Sequence, residues 1–184
     1  NFYYPKSFTL ASRHDLVIKA AKKLKDEGFC FRVYFLEGNV VDVDRKKSML
    51  SLIDELDLNE EIRILQKTKF HKTEDMNYLW TFVDCGIQLA EKDQISNTVF
   101  EPLVNGKELI ISDISPYRYI KEYFGFELRL TSLDECSVYE EMKARIETND
   151  KVNGKKNFLI ELIFKKYQFR ENLKKAIRNF EKVN

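Results

Sequence analysis

The sequence predicts an α/β fold in which a parallel β-sheet is covered by helices on both faces, with one further helix at the C-terminus. Three observations predict it. Short apolar runs alternate with stretches of helical periodicity along most of the chain, the pattern of linked β-α-β units. The strand-like runs are apolar at successive positions, as expected of strands buried on both faces. The 184 residues suffice for one well-packed domain and are too few for two large ones.

The first run, "NFYYP", is a short strand stopped by proline. "HDLVIKAAKKLKDEG" follows, with Leu16, Val17, Ala20, Ala21 and Leu24 at helical spacing and Gly28 as the stop. "FCFRVYFLEG" is the second strand, rich in aromatic and β-branched residues and closed by Gly38. A helix over about 46–56 leads to the strand "EIRIL", and "TEDMNYLWTFV" is a third helix. "CGIQLA" is the fourth strand, and a helix over 97–105 connects it to "ELIIS". A helix near 116–123, the strand "FELRL" and a helix over 133–148 complete the alternation. Six strands, each followed by a helix, make residues 1–150 a Rossmann-like domain. Residues 151–184 break the pattern. Their apolar positions, among them Leu159, Leu162, Ile163, Leu173, Ile177 and Phe180, form one stripe with Lys and Arg opposite.

Charge divides the chain at the same place. Residues 1–150 hold 21 basic and 27 acidic side chains, whereas residues 151–184 hold ten and three. The acidic balance of the first part, with no basic patch interleaved with exposed aromatics, argues against a nucleic-acid partner. The basic tail is either a solvated helix face or a surface for an anionic membrane or a partner domain. No apolar run approaches the roughly 20 residues that span a bilayer, and "NFYYPKSF" is no signal peptide. A chain beginning with Asn1 suggests a domain of something longer. Cys30, Cys85 and Cys136 are widely spaced and have no neighbouring His. Cys30 and Cys85 stand in apolar strand-like runs, so buried free thiols are expected, in keeping with a reducing cytoplasm. His14 and His71 lie far apart with no nucleophile motif beside them and read as polar residues at helix starts. Tyr78, Trp80 and Phe82 read as core. No His/Cys/Asp/Glu cluster has metal-ligand spacing.

Ligands of such folds sit beyond the carboxyl ends of the strands. "EKDQISN" is a loop of that kind, and Asn97 starts the helix behind it. The exposed N–H groups and positive dipole end of that helix suit a phosphate or sugar oxygen, while Ser96 and Asn97 also suit plain capping. Asp93 is expected to project from the loop and Glu101 from the first turns of the helix. Two carboxylates there suit a polyol, whose vicinal hydroxyls donate to them. They equally suit a pair of surface acids near a helix N-terminus.

The order of apolar strand, acid, seven residues, Glu, Gly and apolar strand in "DQISNTVFE…LVNGKELIISD" resembles the nucleotide-sugar-binding segment of group 1 retaining glycosyltransferases of GT-B architecture. "HDLVIKAAKKL", "VYFLEGN" and "LDLNEEIRILQKT" resemble earlier segments of the same domain. The resemblance covers roughly residues 2–135, the C-terminal, donor-binding half of such an enzyme. It implies that Glu101 binds ribose hydroxyls and that Asp93 faces the donor sugar near the reacting centre. It also implies that backbone N–H groups of Ile95, Ser96, Asn97 and Thr98 hold sugar and diphosphate oxygens, that residues 66–70 lie along the base, and that Gly38 forms the turn after the second strand. The implied reaction is hexosyl transfer from a nucleotide-sugar to an acceptor hydroxyl with retention, in surface polysaccharide or glycolipid synthesis, without metal or other cofactor. An N-terminal acceptor domain is the implied partner, and the inner membrane face a place of peripheral contact. The family's Arg and Lys of the phosphate clamp fall at Ser7 and Ser12, and Lys6 and Arg13 are the nearest cations, each one step out of register. That departure opens the alternative of a catalytically inactive GT-B-like binding or scaffold module.

Overall fold

The computed structural model describes residues 1–38, 42–66, 79–93, 97–124 and 128–148. Its strands are β1 (Phe2–Tyr4), β2 (Val33–Glu37), β3 (Ile62–Gln66), β4 (Cys85–Gln88), β5 (Glu108–Ser112) and β6 (Arg129–Thr131). The helices are α1 (His14–Asp26), α2 (Val43–Glu55), α3 (Asn97–Val104), α4 (Ser115–Phe124) and α5 (Glu135–Thr148). All five strand pairings are parallel, in the order β3-β2-β1-β4-β5-β6. This is the doubly wound arrangement anticipated from the alternation.

The two faces of the sheet follow from the strand pleat. Phe2, Tyr4, Val33, Phe35, Ile87 and Ile110 point to one side, where they are buried with the apolar stripes of α1, α2 and α5. Tyr3, Leu36, Leu109 and Ile111 point to the other, which is covered by residues 79–83, α3 and α4. The last described helix therefore returns to the first face. There Lys143 Nζ reaches Glu27 of the α1 C-cap at 2.8 Å, and Lys23 reaches Glu135 at 2.9 Å.

Local chemistry sets the element ends. Asp42 accepts from the Arg45 N–H at 3.0 Å and Asp134 from the Ser137 N–H at 2.8 Å, capping α2 and α5. Helix α3 tolerates Pro102 and closes with Lys107 N–H on the Pro102 carbonyl and Gly106 N–H on Leu103. This Schellman closure places Gly106 at φ +65°.

Three expectations need correction. "FCFRVYFLEG" pairs with the sheet only from Val33 onward, so Cys30 stands in the irregular segment before β2 and is exposed. Cys136 is exposed on α5, and of the three thiols only Cys85, inside β4, is buried. Part of the predicted third helix, Tyr78 included, lies outside the described residues; residues 79–82 are helical and Trp80 is core as expected, but Phe82, also expected in the core, is exposed. Residues 67–70, expected along a base, and the basic segment 151–184 also lie outside them.

Candidate functional site

Strand order reverses between β1 and β4, the switch point beside which doubly wound sheets bind their ligands. The β1–α1 loop carries Lys6, Ser7, Ser12 and Arg13, and the loop after β4 carries Glu91 and Asp93. The two loops are tied together. Ser12 and Ala90 form an antiparallel bridge, Arg13 N–H donates to the Leu89 carbonyl at 3.3 Å, and Glu91 N–H to Ala11 at 3.1 Å. From β1 the buried Tyr4 hydroxyl donates to the Leu89 carbonyl. From β5, Ser112 Oγ accepts the Ala90 N–H at 3.2 Å and donates to its carbonyl at 2.9 Å.

Asp93, expected to project from the loop, is not a surface acid. Its side chain is 14% exposed, and three donors converge on Oδ2: Lys6 Nζ at 2.6 Å, Gln88 Nε2 at 2.7 Å and the Tyr117 hydroxyl at 2.5 Å. Burial alone would raise its carboxyl, but the bonds from Lys6, Tyr117 and Gln88 prevail and hold it below the usual carboxylate range. Burial first, and the bond to Asp93 second, push the Tyr117 phenol far up, so it stays protonated and donates.

The two candidate clamp cations have different partners. Lys6 lies on Asp93, whereas Arg13 Nη2 pairs with Asp15 at 3.0 Å and Nη1 with Glu91 at 3.1 Å. Asp15 also receives Arg45 Nη2 from α2 at 2.6 Å. Ser7 abuts Gly38: a Cβ on Gly38 would lie 1.8 Å from Ser7 Oγ. The lack of a side chain at Gly38 is thus what lets the β1–α1 loop lie against the end of β2. His14 does start α1, but it is buried, stacked on Phe8 at 4.4 Å, with its ring nitrogens 3.2 Å from the Ser12 and Lys6 carbonyls. Burial depresses its pKa to about 4, which leaves a neutral ring bracing the loop.

Glu101 lies in the second turn of α3, half-buried. Burial raises its carboxyl. The Trp80 indole opposes that lift from nearby, yet Nε1 forms no hydrogen bond of normal geometry. Ile95, Ser96 and the side chain of Asn97 lie outside the described residues, and Thr98 is half-buried at the start of α3. Between the loop after β4 and the α4 N-terminus an open cavity of about 440 Å³ is lined by Glu91, Lys92, Asp93, Asp113, Ile114, Ser115, Pro116 and Arg118. Among the described residues, no group of three or more His, Cys, Asp and Glu side chains is arranged to hold a metal ion.

Two members of this site are not legible as site residues in the sequence. Tyr117 reads as one of several aromatics on α4. Gln88 carried a faint signal, a lone amide in a strand buried at all four positions.

No family model and no curated protein sequence matches the chain. Solved structures do. A glycosyltransferase from Rickettsia africae ESF-5 superimposes with a TM-score of 0.80 at 15% identity, covering 99% of this chain and 47% of that one. Anabaena Alr3699/HepE, solved in complex with UDP and glucose, gives 0.73 at 13% identity over 94% of this chain and 47% of that one. The C-terminal domain of the group 1 family glycosyl transferase LpcC from Francisella tularensis gives 0.73 at 11% identity, over 90% of this chain and 85% of that domain. The chain thus spans about half the length of the first two and most of the third. Its fold is that of the C-terminal, Rossmann-like half of GT-B glycosyltransferases.

Proposed function

We propose that this chain is the donor-binding domain of a retaining glycosyltransferase, which moves a hexosyl group from a nucleotide-sugar to an acceptor hydroxyl. The observation that carries this reading is the meeting of Lys6 and Asp93, from two loops, at the switch point of a sheet whose structural relative was solved with UDP and glucose. Asp93, kept ionised, would face the sugar. Glu101 would accept from the ribose hydroxyls, and the N-terminal end of α3 would face the diphosphate. In the reaction the bond from the anomeric carbon to the diphosphate oxygen breaks, the leaving oxygen keeps the electron pair, and the acceptor oxygen takes its place while its proton passes to the departing diphosphate. Lys6, Arg13 and the helix dipole would stabilise the departing charge, a task done without a metal. The acceptor would be held by a second domain, in the assembly of a surface polysaccharide or glycolipid. No described helix is long and apolar enough to cross a membrane, and peripheral contact through the basic segment 151–184 remains part of the proposal.

A second reading, an inactive binding module of the same fold, is favoured by one observation. The crevice cations Lys6, Arg13, Arg45 and Arg118 are each already matched to an acid. Calorimetric titration with UDP, GDP, ADP and CMP separates the two. Saturable binding of one nucleotide, weakened in Glu101→Ala, supports the donor site. Absence of binding by a folded sample moves the assignment to the inactive module.

A further inference from the structure

We infer that Tyr117 and Gln88 are positioning residues that hold Asp93 in place when Lys6 leaves it for an anionic ligand. The inference rests on the donor-site reading and adds two residues to it. Of the three donors on Asp93 Oδ2, Lys6 is set apart by its origin. It stands on the β1–α1 loop at the end of a flexible four-carbon stem, and it is the one cation of the three. Gln88 is the last residue of β4 and fully buried, and Tyr117 is fully buried in the core between α4 and the sheet. Both are therefore fixed by packing, and they are bonded to each other, Gln88 Nε2 donating to the Tyr117 hydroxyl at 3.1 Å.

A diphosphate arriving at the crevice competes for the Lys6 ammonium. If that ion pair were the whole support of Asp93, drawing Lys6 away would leave a poorly solvated carboxylate unpaired, an outcome that normally ends in protonation or a swing outward. Two neutral donors that carry no charge for the phosphate to attract remain behind. They keep the carboxylate bonded, ionised and aimed while the ammonium moves. Gln88 is oriented for this role: its Nε2 faces the carboxylate, and its Oε1 is buried without a hydrogen-bond partner. A buried acceptor left unpaired is a cost, and the amide donor directed at Asp93 and Tyr117 is what that orientation secures.

The test uses the whole chain with 13C-labelled aspartate carboxyls, followed by NMR through a pH titration. The variants are Tyr117→Phe, which keeps the ring, Gln88→Met and Lys6→Met. UDP and UDP-glucose are the nucleotide probes. The expected result is that Lys6→Met moves the Asp93 carboxyl up but leaves it ionised at pH 7, and that Tyr117→Phe and Gln88→Met each move it up as well. With saturating UDP, wild-type Asp93 stays ionised at pH 7. In Tyr117→Phe the affinity for UDP-glucose falls about ten-fold, the loss of one charge-assisted hydrogen bond, while that for UDP stays within two-fold of wild type. An Asp93 titration that follows Lys6 alone and ignores Tyr117 and Gln88 overturns the inference. Failure of UDP to bind, with the Asp93 titration still responding to Tyr117 and Gln88, overturns the donor-site reading and the role toward ligand, but leaves the anchoring intact.

Discussion

Replacing Glu101 with glutamine separates what this residue does for binding from what it does for stability. The side chain keeps its size and loses its charge. If Glu101 accepts from ribose hydroxyls, the change weakens charge-assisted hydrogen bonds worth about 1.5–3 kcal/mol, so the UDP dissociation constant rises by up to about 10- to 150-fold. Stability should move the other way. Glu101 is half-buried, and burial raises its carboxyl while Trp80 Nε1 makes no normal hydrogen bond to it. A carboxyl whose folded pKa lies above its unfolded one, about 4.3, contributes stability at low pH that is lost as pH rises through the folded value. At pH 7 the folded protein therefore bears the cost of an ionised, poorly solvated group that glutamine lacks. Urea unfolding of Glu101→Gln at pH 7 should give a midpoint equal to or above wild type, with the advantage disappearing near pH 4. Calorimetry with UDP on the same sample supplies the binding half. An unchanged UDP affinity would refute the ribose role, and a lowered urea midpoint at pH 7 would refute the burial argument.

Three further outcomes follow from other parts of the site. Asp93 has the opposite sign: its folded pKa is depressed, so its stabilisation is present above the unfolded value, about 3.9, and is lost as pH falls through the folded one. Asp93→Asn should cost about 1–3 kcal/mol at pH 7 and flatten the acid limb of a stability–pH profile measured by urea unfolding. A steeper acid limb in the variant would contradict the assignment. Gly38→Ala sets a methyl 1.8 Å from Ser7 Oγ. It should lower stability by about 1–3 kcal/mol, with partial recovery in Gly38→Ala/Ser7→Gly, read by thermal melting; equal losses in the single and double variants would place the strain elsewhere. Native thiol titration with an aromatic disulfide reagent should modify Cys30 and Cys136 quickly, and Cys85, buried and with its thiol pushed up to about 12, only on unfolding. Fast labelling of all three would contradict the packing of β4.

The kind and order of the secondary-structure elements were legible in the sequence because they rest on short-range physics. Periodicity placed α1, α4 and α5 within two residues of their observed ends, and Gly28 marked where α1 stops. Local reading failed where a run was apolar for reasons other than strand pairing. Phe29 and Phe31 pack against the core from the irregular segment before β2, and the cysteine between them is exposed. The Asp93 and Glu101 positions were also visible, since an acid, seven residues and a Glu is a one-dimensional pattern.

What tertiary structure alone decided is the company these residues keep. Lys6 and Asp93 are 87 positions apart and Tyr117 and Asp93 are 24 apart. They meet because β1 lies next to β4, and β4 next to β5. That adjacency is set by burying the apolar faces of all six strands under two layers of helices, a property of the whole sheet that no single segment encodes. Element type follows from local backbone and side-chain preferences, which the sequence states directly. Protonation state and orientation at the site follow from which distant donors the packed sheet delivers to one carboxylate oxygen.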